Sequence, residues 1–250
     1  MDTLLQISLE LMQRLLIAFI GSLLFCSTAM ASETCPQLLA DARQLILAVS
    51  PDAGSRTAEV RLFERSSPDA GWKQTGIAKS ASLGRSGMGW AWNYRALAAQ
   101  DEPLKSEGDG RTPAGVFTLG GLFGFGSSSE RDYTRLESGK NICVDDLRSP
   151  HYNTVVSRTI AGGGTSGEDM GTISLYRRGL FVGFPTDREQ KGGSCIFIHV
   201  WRRPDSPTSG CVALAERDVT DLQKWSRGQP TVIAILWRAP RERLRHCLPE

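Results

Sequence analysis

The chain has 250 residues, of which 40% are hydrophobic and 22% are charged, and its formal net charge is +2. This composition supplies apolar material for one hydrophobic core rather than two, so we expect one domain. No basic stripe with interleaved aromatic side chains is present, and nucleic acid is therefore excluded as an expected partner.

The N-terminal residues have the pattern of an export signal. Arg14 precedes an apolar run over residues 15–25, and Ala29-Met30-Ala31 provides a small-x-small cleavage site. We therefore expect residues 1–31 to be a signal peptide that directs secretion across the inner membrane. The mature protein is expected to be exported, without stable membrane insertion. A retained anchor is the alternative, which the short apolar run disfavours.

Residues 32–55 are predicted to form a helical extension that packs outside the core. Pro51 ends the pattern, because proline does not continue a helix. The apolar residues that recur at helical spacing are Leu38, Leu39, Ala42, Leu45, Ile46 and Val49.

The remainder of the chain reads mainly as short strands. Residues 57–65 alternate as a half-buried strand does, and residues 71–76 look like the second arm of a hairpin. Many short strands with glycine turns predict a mainly β sandwich or barrel with a few short helices. Further strands are predicted at residues 116–119, 141–144, 172–176, 180–184, 194–200 and 231–237.

A histidine and a cysteine lie on either side of one predicted turn. His199 ends the apolar strand at residues 194–200, and Pro204, Pro207 and Gly210 turn the chain before Cys211. An imidazole beside a thiol makes a base and nucleophile pair. Residues 214–225 read as a helix, whose N-terminus is expected to stabilise the thiolate further.

Three segments resemble the L,D-transpeptidase (YkuD-type) catalytic domain family. The first is His199 with Thr208-Ser209-Gly210-Cys211-Val212, which is similar to the active-site signature of that family. The second is the glycine-rich segment at residues 108–117, and the third is Ser149-Pro150-His151-Tyr152-Asn153. The order of the three segments along the chain agrees with their order in that family. The resemblance implies a β-rich catalytic domain over residues 56–238, in a protein that is periplasmic or cell-wall associated. Clustered arginines predict a basic C-terminal tail at residues 239–250, which we expect to be a solvated end; contact with an anionic polymer or membrane surface is the alternative.

The chain departs from that family at two positions. Ser209 occupies a position where the family often has a second histidine, and Ala213 one where it has arginine or asparagine. If the missing cation binds a substrate carboxylate, Arg202 or Arg203 on the connecting loop is expected to replace it. An Arg203→Ala variant is then expected to raise the KM for a carboxylate-bearing donor.

The resemblance also implies the chemistry. Cys211 is expected to attack the stem-peptide carbonyl that joins the third residue to the terminal D-alanine, with His199 as base. Thr208, Ser209 and Gly210 form the expected oxyanion and active-site turn, in which the backbone N–H groups of Ser209, Gly210 and Cys211 are expected to hold the oxyanion. Tyr152 is a further candidate for substrate binding. The carbonyl of Val200 is expected to orient the imidazole.

Two other functions remain open at this point. One is a cell-wall amide hydrolase or carboxypeptidase that uses the same Cys-His pair, and the other is a non-catalytic peptidoglycan-binding module. The expected partners are peptidoglycan stem peptides, and we expect a monomer. No Cys-x-x-Cys or His-x-x-x-His pair occurs, so no metal or other cofactor is expected.

The cysteine count bears on which thiol is free. Loss of residues 1–31 removes Cys26 from the six cysteines and leaves five, an odd number. If Cys211 is the nucleophile, the other four have three possible connectivities, of which we favour Cys35–Cys247 and Cys143–Cys195. The alternatives are that all remain reduced, or that Cys195 is a small buried apolar residue.

Overall fold

The computed structural model describes residues 35–130 and 132–250. The predicted signal peptide, residues 1–31, lies outside the described residues. None of the described helices has the length and apolar character needed to cross a bilayer.

The described strands are short and follow one another closely along the chain. In chain order they are β1 (Gln44–Ser50), β2 (Thr57–Glu64), β3 (Lys73–Ser82), β4 (Met88–Trp90), β5 (Thr112–Gly124), β6 (Tyr133–Arg135), β7 (Ile142–Val144), β8 (Val155–Val156), β9 (Gly167–Asp169), β10 (Arg178–Gly183), β11 (Phe197–Val200), β12 (Val212–Leu214) and β13 (Thr231–Trp237).

Helices are fewer than strands and mostly brief. The α-helices described are α1 (Leu38–Asp41), α2 (Arg158–Ala161), α3 (Glu216–Trp225) and α4 (Arg238–Arg243). Short 3₁₀ helices occur at Trp92–Leu97, Met170–Thr172 and Ser174–Arg177.

The larger sheet closes on itself as a barrel. Its strand order is β10-β11-β12-β3-β2-β1-β13-β5, and β10 pairs again with β5. The pairings β1–β13 and β11–β12 are parallel, whereas the other pairings around this ring are antiparallel. Strands β4 and β6 attach to β5, and β7–β9 form a separate small sheet. The predicted mainly β barrel or sandwich with few short helices is confirmed.

Individual strand predictions have mixed outcomes. The hairpin is confirmed, since β2 and β3 pair in antiparallel fashion. The strand predicted at residues 172–176 is wrong, because this segment forms 3₁₀ turns. Local hydrogen bonds favour the turn: the side chain of Asp169 accepts from the Gly171 N–H, and the Thr172 hydroxyl donates to the Asp169 carbonyl.

The predicted N-terminal helix is wrong for most of its length. Helix α1 covers one turn, and Gln44–Ser50 is a barrel strand between β2 and β13. Leu45 and Ile46 are at most 1% exposed, so this strand lies in the core rather than outside it. A short apolar run without polar alternation fits a strand buried on both faces as well as it fits a helix.

The C-terminal residues belong to the fold instead of forming a solvated tail. Leu244 and Leu248 are buried in the main core, and the Arg243 guanidinium pairs with Glu102. A disulfide joins Cys35 to Cys247, as predicted. The two ends of the described chain are therefore attached to each other.

Candidate active site

Strands β11 and β12 place alternate residues on opposite sides, as the two-residue period of a strand requires. Ile198 and Val200 belong to the main core, and so do Val212 and Leu214 of the neighbouring strand. Phe197 and Cys211 belong instead to a second cluster of buried side chains. His199 shares this second side with Phe197 and is paired in register with Ala213. The parallel pairing thus brings the predicted base and nucleophile to one face.

The imidazole of His199 is buried and oriented by a backbone carbonyl. Its Nδ1 lies 2.9 Å from the oxygen of Val200, as predicted. Because a carbonyl only accepts, Nδ1 carries the proton and Nε2 keeps a free lone pair. Burial lowers the pKa of His199 to about 4. The imidazole is therefore neutral at physiological pH, which is the form a general base requires.

Among the described cysteines, Cys211 is the free one, and it is buried. Its Sγ accepts a hydrogen bond from the Phe197 N–H at 3.3 Å and donates one to the Cys195 carbonyl at 3.4 Å. Burial, and next the charge of Glu168, raise the pKa of this thiol to about 12. The pair consequently rests as a neutral thiol and a neutral imidazole.

The helix predicted over residues 214–225 is confirmed as α3, Glu216–Trp225. Strand β12 follows Cys211 directly, and helix α3 begins only at Glu216. Because β12 separates Cys211 from α3 along the chain, the effect of the helix N-terminus on the thiolate stays a prediction. The in-register pairing of β12 with β11 extends this part of the chain before the helix can start.

The turn before Cys211 is braced by Thr208. Its hydroxyl oxygen accepts from the Gly210 N–H at 3.1 Å and donates to the Cys211 carbonyl at 2.7 Å. The Gly210 N–H is thus already engaged. Within the described chain, no acceptor engages the N–H groups of Ser209 and Cys211.

His199 and Cys211 line a single cleft of about 650 Å³. Thr208, Ser209, Gly210 and Arg202 line it as well. Charged and phenolic groups that the sequence prediction missed complete its walls, namely Arg85, Lys105, Glu107, Asp145, Glu168 and Tyr176.

Tyr152 and Arg203 do not line this cleft. The Tyr152 hydroxyl instead donates to Glu107, which also accepts from the Ser194 hydroxyl at 2.7 Å. Burial and the Glu107 carboxylate raise the pKa of Tyr152 above its usual value. Tyr152 therefore holds a residue of the cleft wall rather than forming the wall itself.

Arg85 supplies a cation next to the active-site turn. Its guanidinium donates to the Ser209 hydroxyl at 3.4 Å and to the Gly108 carbonyl at 3.2 Å. The guanidinium also packs against Gly110, whose φ is +71°, where a Cβ would meet it at 2.7 Å. In the sequence, Arg85 lies in a glycine-rich run at residues 84–89 that has the pattern of a loop. A single arginine within that loop is the one sequence signal that could have indicated a cation at the active site.

The second disulfide joins Cys143 to Cys195, as predicted, and it lies beside the thiol. Cys195 has a left-handed φ of +57°, and its N–H donates to the Asn153 side chain at 2.9 Å. Its carbonyl is the acceptor for Cys211. The disulfide and Asn153 together fix that acceptor.

The fold and this cleft define a β-barrel protein with a buried cysteine-histidine pair. Its sequence matches the model of the L,D-transpeptidase catalytic domain, YkuD, over residues 55–234. The chain therefore belongs to this family, as the resemblance indicated. No curated relative matches the chain significantly.

Solved structures with a similar fold include two bacterial proteins. One is the helical cell shape determining protein Pgp2 from Campylobacter jejuni, at 15% identity and a TM-score of 0.41, with 78% of this chain and 48% of that chain covered. The other is Bd1075 from Bdellovibrio bacteriovorus, at 15% identity and a TM-score of 0.39, with 83% and 55% covered. This chain thus spans about half the length of each.

Proposed function

We propose that this protein is an exported cysteine acyltransferase that acts on peptidoglycan stem peptides, with Cys211 as nucleophile and His199 as base. One observation carries the proposal: the free thiol and an imidazole with a fixed Nδ1 proton line the same cleft. Both disulfides support an extracytoplasmic location, where such bonds persist.

In the proposed first half-reaction, His199 Nε2 takes the Cys211 proton as sulfur attacks the carbonyl before the terminal D-alanine. Because both groups rest neutral, proton transfer accompanies attack rather than preceding it. The N–H groups of Ser209 and Cys211 are the proposed oxyanion donors. His199 then returns the proton to the leaving amine, D-alanine departs, and a thioacyl-enzyme remains.

In the second half-reaction an acceptor breaks the thioester and restores the thiol. An amine from a second stem peptide gives a 3→3 cross-link, which is transpeptidation. Water gives a shortened stem peptide, which is the carboxypeptidase alternative. The two reactions share every residue named above and differ in the acceptor that reaches the thioester.

We further propose that Arg85 and Arg202 bind the donor carboxylate. They would replace the arginine that the family often has at the position of Ala213. Both arginines line the cleft, and Arg85 reaches the active-site turn. A guanidinium binds a carboxylate through two parallel hydrogen bonds, so either arginine is suited to this role.

The test is mass spectrometry of the mature protein and its Cys211→Ala variant after incubation with a disaccharide tetrapeptide. We expect D-alanine release and an acyl adduct on Cys211, both absent from the variant. A cross-linked dimer among the products indicates transpeptidation, and a trimmed monomer indicates hydrolysis. N-terminal sequencing of the protein from the periplasmic fraction tests export.

The raised pKa of Cys211 favours one competing function, a non-catalytic peptidoglycan-binding module. Under that reading the wild-type protein binds the tetrapeptide without releasing D-alanine, and Cys211→Ala binds it equally well. That result would replace the proposal.

A further inference from the structure

Tyr176 contacts both members of the Cys-His pair, although no sequence signal marks it. Its ring meets the His199 imidazole edge-on, with ring centroids 5.1 Å apart. Tyr176 and Cys211 belong to one cluster of buried side chains and line the same cleft. Within that cluster, hydrogen bonding to Tyr176 lowers the pKa of the Cys211 thiol. The side chain is 5% exposed and is packed against Phe123 and Phe197. Tyr176 is therefore held rigidly against the reacting atoms.

Glu168 fixes the direction of the Tyr176 hydroxyl. The hydroxyl donates to Glu168 Oε2 at 2.7 Å, and both side chains line the cleft. A phenol has one proton to donate, so it cannot donate fully to Glu168 and to Cys211 at the same time. The carboxylate and the thiol compete for this donor.

Glu168 lies near other carboxylates in the cleft and forms no salt bridge with the cations that also line it, Arg85 and Lys105. Among the described residues, Glu168 forms no ion pair, and Asp145 and Glu107 add negative charge nearby. Burial, then Asp145 and Glu107, raise the pKa of Glu168, while the Tyr176 hydrogen bond lowers it. The positive charge of Lys105, which also lines the cleft, lowers the pKa of Cys211.

We propose that Glu168 and Tyr176 are a pair of positioning residues that controls the reactivity of the Cys211 thiol: Tyr176 promotes the thiolate, and Glu168 restrains it by occupying the Tyr176 hydroxyl. In the resting site the hydroxyl donates to Glu168, and the thiol stays protonated. As negative charge develops on sulfur, the hydroxyl redirects its hydrogen bond toward it. The role in turnover rests on the proposed function; the effect on the thiol does not.

The experiment measures the second-order rate of Cys211 alkylation by iodoacetamide from pH 7 to pH 9, with peptide mass spectrometry to assign the label. A thiolate fraction changes tenfold for each unit of pKa. Glu168→Gln removes the negative charge and leaves a weaker, neutral acceptor for the Tyr176 hydroxyl, so alkylation is expected to accelerate about tenfold. Tyr176→Phe removes the donor, so alkylation is expected to slow about tenfold.

Matched controls are available outside the cleft. Tyr94→Phe removes a half-buried hydroxyl that donates to the Val116 carbonyl, and Glu102→Gln removes a carboxylate that binds Trp90 and Arg243. Neither is expected to change the alkylation rate. If Glu168 and Tyr176 merely stabilise the fold, both of their variants shift the rate in the same direction, which overturns the proposal.

A double-variant cycle separates the coupled pair from two independent effects. Glu168→Gln is expected to accelerate alkylation less in a Tyr176→Phe background than in the wild type. Equal acceleration in both backgrounds overturns the statement that Glu168 acts through Tyr176. If the variants show the expected alkylation rates but the wild type releases no D-alanine, the proposed function is disproved and the proposed pair is not. D-alanine release with unchanged alkylation rates disproves this pair alone.

Discussion

Strands β11 and β12 carry two different kinds of surface on their two sides. Toward the main core lie Ile198, Val200, Val212 and Leu214, each at most 1% exposed and in contact with other apolar side chains. Toward the cleft lie His199 and Cys211, which are also buried but make specific hydrogen bonds. Burial alone therefore does not separate the core residues from the proposed catalytic residues; the side of the strand on which they lie does.

The largest expected effect is on the reactive side. His199→Gln is expected to lower kcat/KM for the tetrapeptide about 10²- to 10⁴-fold, because the variant has no general base. His151→Gln, outside the cleft, is the matched control and is expected to leave the rate unchanged. Steady-state D-alanine release measures both. A His199→Gln enzyme with full activity would contradict the assigned role.

On the core side, Ile198→Ala is expected to cost about 2–4 kcal/mol of unfolding free energy, because it leaves a cavity between packed strands. Ile77→Ala is the control, since Ile77 is 82% exposed and is expected to change little. Urea unfolding measures both variants. Alkylation of Cys211 in folded Ile198→Ala is expected to match the wild type; a large change would show that the two sides are not separable.

Acid is expected to lower the free energy of unfolding of the protein through His199. The pKa of His199 falls from 6.5 to about 4 on folding, so the unfolded chain binds the proton more readily. The contribution of the neutral His199 imidazole to the free energy of unfolding is complete above pH 6.5. It is lost as pH falls toward 4, and the total loss is about 3 kcal/mol. The difference between wild type and His199→Gln in unfolding free energy, measured across this range, isolates the effect. A constant difference would contradict it.

The smallest expected effect concerns substrate binding. Arg85→Ala is expected to raise the KM for the carboxylate-bearing donor several-fold to about tenfold, because one charge-assisted contact is lost. Arg203→Ala is the matched control, as its side chain does not line the cleft. This replaces the sequence-based expectation for Arg203. A higher KM in Arg203→Ala alone would return the role to the connecting loop.

The sequence predicted those parts of the site that are close together along the chain. His199 lies on β11 and Cys211 directly precedes the neighbouring strand β12. The proline and glycine residues between them predicted the turn. Arg85, Glu168 and Tyr176 reach the cleft only because separate segments of the fold converge there, which a single sequence does not reveal. Strand β1 was mistaken for helix for a related reason: its partners β2 and β13, not its local pattern, decide its conformation.

Cys195 joins the Cys143 disulfide to the hydrogen bond that its carbonyl accepts from Cys211. This connection has a practical consequence for handling the protein. Dithiothreitol, which is routinely added to keep a reactive cysteine free, also attacks the bridge that fixes the acceptor for that same cysteine. Purification and assay therefore belong in buffer without reductant, with oxygen and trace metals removed to protect the thiol.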